Sequence, residues 1–231
     1  MSRDFDDYRH TYRDEVQRSI AFSGQDVGFF TDVKARLLCE LAERAFGEIG
    51  ALSVLDVGCG VGLTDDALKG RFGHIDGVDV SEGAVAEAAA ANPWADYASY
   101  DGRSLPFEEG RFDLAFAICV LHHVDPPDRP AFVAEVARVV RPGGLVVVIE
   151  HNPMNPLTRM AVARCDFDEG VELASRKEAR ALFVSRGLQP VEHPYILFFP
   201  WRGNAPRRVE RWLTWLPFGA QYIVAGRKAG G

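Results

Sequence analysis

Residues 54–62 read VLDVGCGVG. Small apolar residues and one aspartate run straight into three glycines spaced two apart, Gly58, Gly60 and Gly62. The apolar run reads as a buried strand. A single glycine would serve the turn that follows it. Three allow left-handed backbone and take away the Cβ atoms that keep a ligand off the main chain. In an open α/β sheet such a loop lies at the carboxyl edge of the strands, beside the switch point where ligands bind.

The neighbouring sequence repeats the strand–helix rhythm. SVLDV (53–57) precedes a short helix over 63–70, and HIDGVDV (74–80) reads as the second strand. Ser81 is placed to cap a helix over 82–91 that stops at Asn92-Pro93. ADYASY (95–100) is the third strand, and FDLAFAICVL (112–121) has the continuous apolar character of a central parallel strand. A helix over 129–141 is expected to end at Pro142-Gly143-Gly144, ahead of LVVVIE (145–150). A further helix over 175–187, strands over 190–199 and 221–228, and a helix over 206–217 with Val209, Trp212, Leu213 and Leu216 on one stripe complete the pattern. Two helices, over 5–20 and 29–46, precede the first strand. The expected fold is α/β: a Rossmann-like, doubly wound, seven-stranded sheet, mostly parallel with an antiparallel last strand, under an N-terminal helical cap. The chain reads as a single domain, with 1–48 as cap or lid, 49–151 as the ligand-binding core and 152–231 as a substrate-side half with closing strands.

Composition narrows the function. A net charge of −7 argues against a nucleic-acid partner. The charged start MSRDFDDYRHTYRDE is no secretory signal, and no apolar run has the length of a membrane span. Four scattered cysteines follow no metal-binding spacing and read as reduced thiols of a cytoplasmic protein. No metal-ligand cluster is visible, and the sequence sets no oligomeric state.

A dinucleotide loop would carry a third small residue at position 63, where this chain has Leu63. Taken in order, VLDVGCGVG, GVDVS (77–81), YDGRSLPF (100–107), FDLAFAICVLHHV (112–124) and VVRPGGLVVVIE (139–150) resemble the class I S-adenosylmethionine-dependent methyltransferases. The likeness is greatest to the small-molecule branch that includes the ubiquinone and menaquinone methyltransferases. It covers roughly residues 50–151 and fades over the first 45 and the last 80.

The resemblance implies S-adenosylmethionine as cofactor and a small organic acceptor methylated at oxygen, carbon or nitrogen. Asp79, about 20 residues after Gly58, ends the second strand, where a carboxylate accepts from ribose hydroxyls. The family pattern gives Asp101 and the Gly102 N–H to the adenine, Asp56 to orientation of the glycine loop, and the backbone at Cys119 to the ligand's amino group. Cys59 and Val80 flank these positions on the cofactor side. A base is needed only for an acceptor that must lose a proton. His151 and His122, each just past a strand end, are the candidates, because imidazole titrates near neutrality. Phe22, Phe29 and Phe30 are expected to exclude water as a lid, with His123, Asn152, Asn155 and Arg159 facing the substrate. The Asn-Pro steps of 150–159 suggest a stiff, extended path. Two alternatives stand beside this reading: a non-catalytic S-adenosylmethionine-binding regulatory or scaffold protein, and an NAD-dependent oxidoreductase.

Overall fold

The structure, a computed structural model, describes residues 12–230. The expected helix over 5–20 lies partly outside the described residues, and its remainder is α1 (Tyr12–Ile20). The next helix, α2 (Val27–Phe46), starts earlier than the apolar pattern suggests, because the Asp26 carboxylate accepts from Phe29 N at 2.7 Å and caps it. There follow β1 (Ser53–Val57), α3 (Leu63–Leu68), β2 (His74–Asp79), α4 (Glu82–Ala91), β3 (Asp96–Ser99), β4 (Phe112–Ile118), α5 (Arg129–Val139) and β5 (Val140–His151). Ser81 caps α4 through Ala84 N, as its position suggests.

Among the described residues the sheet has eight strands rather than seven. The stretch 190–199 is not one strand. It divides into β6 (Leu188–Glu192) and the two-residue β7 (Tyr195–Ile196), both antiparallel to β8 (Gln221–Lys228). Between them lies Pro194, which has no N–H to give a ladder. Pro142-Gly143-Gly144, expected as a helix stop ahead of the strand, belongs to β5 itself. Gly144 is needed there because a Cβ would meet Asp113 O at 2.6 Å. The stiff path expected over 150–159 turns into α6 (Pro156–Val162): Asn155 Oδ1 accepts from Leu157 N and Thr158 N, and Pro156 takes the first helical position, where a missing N–H costs nothing. A full capping box at Ser175 and Glu178 opens α7 (Arg176–Ser185). The last helix is α8 (Asn204–Leu213).

The strand order is β3-β2-β1-β4-β5-β8-β6, with β7 also on β8. Only β8 runs against the parallel set, so the expected antiparallel last strand is present. Apolar side chains alternate between two buried layers. Leu55, Val57, Ala115 and Val146 face one helical layer, and Val54, Leu114, Phe116 and Val147 face the other with α2. The order reverses between β1 and β4, so the loops after these two strands diverge and leave a crevice at their carboxyl ends.

Candidate active site

Two cavities occupy that crevice. One, of about 710 Å³, is lined by Asp79, Val80, Tyr100, Asp101, Gly102 and His123. The other, of about 330 Å³, is lined by Phe22, Phe30, Lys34, Asp56, His122, His151 and Gln221, among others. Gly58, Ile118 and Cys119 border both.

The three motif glycines serve different ends, although all have positive φ. A Cβ on Gly58 would lie 2.5 Å from Val120 Cγ2, and one on Gly62 would lie 2.5 Å from Asn92 Nδ2. Those two glycines are demanded by the protein's own packing. A Cβ on Gly60 meets nothing within 4 Å, so Gly60 alone faces open space. Its N–H donates to Asp79 Oδ2 at 2.9 Å, while Asp79 Oδ1 accepts from Ser81 N. Asp79 thus fastens the glycine loop to the end of β2. Val80 is 43% exposed beside it, an apolar surface in the same cavity. Asp101 Oδ1 accepts from Arg103 N and Ser104 N, and these bonds hold its carboxyl below the usual range.

Asp56 is buried against Asp65, whose Oδ2 accepts from Tyr97 O–H at 2.8 Å. Burial, and then the Asp65 charge, push Asp56 well above the ordinary carboxylate range, and burial pushes Asp65 up to about 6. Cys59 lies buried next to them, its thiol pushed up by that burial. Cys119 takes φ 59°, a left-handed conformation rare outside glycine. Its Sγ accepts from Gln221 Nε2 at 3.3 Å.

The histidines form a network that the sequence does not show. His122 is almost wholly buried, with Nδ1 2.7 Å from Glu150 Oε2 and Nε2 3.3 Å from Asp168 Oδ1. Burial by itself would lower His122, but the Glu150 charge and the bonds to both carboxylates override it and push the ring up to about 10. At neutral pH both N–H groups therefore donate, and no lone pair is left for a base. The expectation of His122 as base is corrected on that ground. Against its burial, Glu150 is held at about 2 by the His122 cation, and its Oε1 accepts from Leu121 N at 2.6 Å. His123 Nε2 also reaches Asp168, at 3.3 Å. The ligand-type atoms of His122, His123 and Asp168 thus lie within 4.8 Å of one another, a convergence invisible in the sequence.

His151 differs from its neighbour. Burial, and then the His122 charge, push it down to about 4, so it is neutral at pH 7. Its ring lies 5.1 Å from that of His122. The antiparallel register sets His151 opposite Gln221, whose Nε2 is 3.4 Å from Nδ1. Gln221 is buried, and its Oε1 has no hydrogen-bond partner among the described residues.

Other expected substrate residues divide. Phe22 and Phe30 line the cavity with the histidines, but Phe29 packs in the core beneath α2, on the side of the helix turned to the sheet. Asn152 does not face a ligand. It is 1% exposed, donates to Pro217 O and Gly219 O, and accepts from Met154 N. Asn155 borders the cavity while its amide caps α6 and donates to Phe218 O. Arg159 is exposed and borders neither cavity. Residues that sequence reading missed are Lys34, Glu150 as ion-pair partner, Asp168 and Gln221. Lys34 was readable only as one charge on an amphipathic helix, and the rest meet through contacts of high sequence separation.

Residues 55–148 match the family described as Methyltransferase domain. Over 104 residues the chain is 36% identical to the 2-methyl-6-phytyl-1,4-hydroquinone methyltransferase of a Synechocystis strain, covering 43% of this chain and 32% of that one. It is 25% identical over 219 residues to the ubiquinone biosynthesis O-methyltransferase of Methylobacterium nodulans, covering 86% of this chain and 84% of that one. The chain therefore spans about a third of the first of these relatives and most of the second. Among solved structures, an S-adenosylmethionine-dependent methyltransferase from Mesorhizobium loti has the same fold, with a TM-score of 0.61 at 21% identity over 82% of this chain and 96% of that one.

Proposed function

We propose, from the match of residues 55–148 to a methyltransferase domain family, that this protein transfers a methyl group from S-adenosylmethionine to a small acceptor. One observation carries the proposal: the cavity at Asp79 and Asp101 and the histidine-lined cavity, which Gly60 also borders, share Gly58, Ile118 and Cys119, so a group bound in one meets a molecule bound in the other. Asp79 accepts from the ribose, Asp101 accepts from the adenine amino group and the Gly102 N–H donates to the ring, with Val80 against its face. Gly60 gives the ligand its room. Asp56, its carboxyl pushed up by burial, orients the loop. The acceptor lies among Phe22, Phe30 and Phe198, and the relatives' quinol substrates suit such walls.

S-Adenosylmethionine, when bound, supplies an activated methyl on a sulfonium. The chain's part is to align the acceptor and exclude water. His151 takes the acceptor's proton. Turned over from the orientation in which Nε2 faces Nδ1, the Gln221 amide brings its unpartnered oxygen to accept from Nδ1–H and so fixes the tautomer whose Nε2 carries the lone pair. His122, locked between Glu150 and Asp168, holds the turn after β4 in place beside it. The acceptor bears a hydroxyl that gains the methyl as its proton leaves. The chain works as a single unit, with α1 and α2 as the cap, and its four free thiols suit the reducing cytoplasm.

The test is release of S-adenosylhomocysteine with a panel of phenols and quinols, beside calorimetry with S-adenosylmethionine and NAD. Heat with the first cofactor and product with at least one acceptor uphold the reading. Heat without any product across acceptors of every class returns the chain to a non-catalytic binder, and heat with NAD alone overturns it.

A further inference from the structure

Three of the chain's four tryptophans lie in one short stretch after β7, and all three are turned outward: Trp201 is 61% exposed, Trp212 82% and Trp215 70%. Phe218 at 64% and Val209 at 50% extend the same surface. Such a concentration of large exposed apolar side chains is unusual for a soluble surface. The stretch 198–218 also carries four arginines against one glutamate, a net +3 on a chain whose remainder is −10. The glutamate, Glu210, is turned away from this surface, accepting from Phe198 N and Phe199 N. In α8, exposed Arg208 and Arg211 share a helical ridge with Trp212, and Trp215 follows at the next turn of that spacing.

This face abuts the mouth of the acceptor cavity. Phe198, Phe199 and Pro200 line that cavity, and Phe199 stacks on Trp201 with centroids 5.2 Å apart. Across the mouth, Leu157 lines the cavity at 55% exposure, with Met154 next to it at 61%. The two sides are tied by Asn155 Nδ2 donating to Phe218 O. Exposed apolar surface thus continues from α8 to the cavity wall.

We infer that this face docks on an anionic lipid bilayer, from which an apolar acceptor enters the cavity. The inference rests on the methyl-transfer reading only for what enters. Indole rings suit the boundary between headgroups and acyl chains, and arginines beside them reach anionic phosphates. Charge decides between occupants. Arg202 is paired with Asp26 and Asp32, which leaves Arg208 and Arg211 as the exposed charges beside the tryptophans; a second copy of the chain would set these cations against their like, whereas an anionic membrane complements them. A bilayer also explains why the tryptophans are continuous with the cavity mouth, since an apolar acceptor then leaves lipid without crossing water.

Co-sedimentation of the full chain with vesicles of equimolar phosphatidylglycerol and phosphatidylcholine tests it, with phosphatidylcholine vesicles as control. The protein is expected to pellet with the anionic vesicles, to do so less with the neutral ones, and to be released by added salt. The double variants Trp212→Ala/Trp215→Ala and Arg208→Glu/Arg211→Glu should each lower the apparent partition ~10-fold or more. These side chains are exposed, so circular dichroism and S-adenosylmethionine affinity should not change. Parent protein left in the supernatant, or binding that neither double variant weakens, overturns the docking. A dimer that the tryptophan variant dissociates overturns it too and assigns the face to a second copy. Vesicle binding that persists in a protein giving no heat with S-adenosylmethionine would sink the enzyme reading and leave the docking standing.

Discussion

On the proposed cofactor side, Asp79 ends β2, and Gly60, Val80, Asp101 and Gly102 sit in the loops that follow β1, β2 and β3, all within residues 58–102. On the acceptor side, Lys34 comes from α2, His122 from the turn after β4, Glu150 and His151 from the end of β5, Asp168 from a short turn before α7, and Gln221 from the start of β8. The first half is written as consecutive strand ends and acts largely through main chain freed by glycine. The second is assembled across the whole chain and acts through buried charge. A site of the first kind tolerates change in its surroundings but not at its few backbone positions. One of the second kind depends on partners that hold each other's protonation.

The comparison breaks most visibly at Gly60. Gly60→Val should abolish S-adenosylmethionine binding in calorimetry; circular dichroism should stay close to the parent because the Cβ meets nothing, while the thermal midpoint should fall through the strain of a β-branched residue at φ 53°. Gly62→Ala should do the reverse, lowering the midpoint through its clash with Asn92. A Gly60→Val chain that stays folded and binds S-adenosylmethionine as the parent does would end the distinction between the three.

Next in size is the acceptor side. His151→Ala should lower kcat by ~10²–10⁴ at saturating cofactor, with cofactor affinity unchanged. Because burial pushes His151 down to about 4, kcat should be flat from about pH 6 upward, with no limb at the ordinary imidazole value of about 6.5. A limb near that value would show that His151 titrates as an ordinary imidazole, and a variant that keeps more than about a tenth of parental kcat removes His151 from the chemistry.

Asp79→Ala then sharpens the contrast within the cofactor half. Affinity for S-adenosylmethionine should weaken by roughly 1.5–3 kcal/mol, the scale for hydrogen bonds to a charged group. Part of that loss comes through the Gly60 N–H that Asp79 fastens. Unchanged affinity by calorimetry would show that the carboxylate only shapes the loop.

The smallest effect is on stability. His122 is raised above its unfolded value, so the folded chain holds a proton there that the unfolded chain releases. Its contribution is complete below about pH 6.5 and is lost as pH rises toward about 10. Urea midpoints should fall between pH 7 and pH 9, with a slope of at most about 1.4 kcal/mol per pH unit for this one proton. A midpoint that holds or rises over that interval would mean His122 is neutral in the folded chain.

The same division explains what could be read in advance. The bounds of β1 were legible to the residue, and those of β2 and β3 nearly so, because apolar runs ending in Asp or Gly are local signals. Asp79 and Gly60 were legible for the same reason. The His122–Glu150–Asp168 network was not, since Asp168 reaches His122 across 46 positions and no local pattern encodes that meeting. Asn152 misled because Asn before Pro signals a turn without saying where the amide points, and here its amide donates to the segment before β8. Position 29 misled because two adjacent phenylalanines on one helix face different ways: Phe29 goes to the core and Phe30 to the cavity.

The reversed direction of β8 has a practical consequence. The strand begins at Gln221 opposite His151 and runs away from the crevice to Lys228, whose partner is Leu188 at the start of β6. Anything attached after residue 230 therefore emerges at the edge of the sheet remote from both cavities. An affinity tag, a fluorophore or a tether to a sensor chip is best joined there, because immobilisation by that end leaves the mouth of the crevice facing the solution.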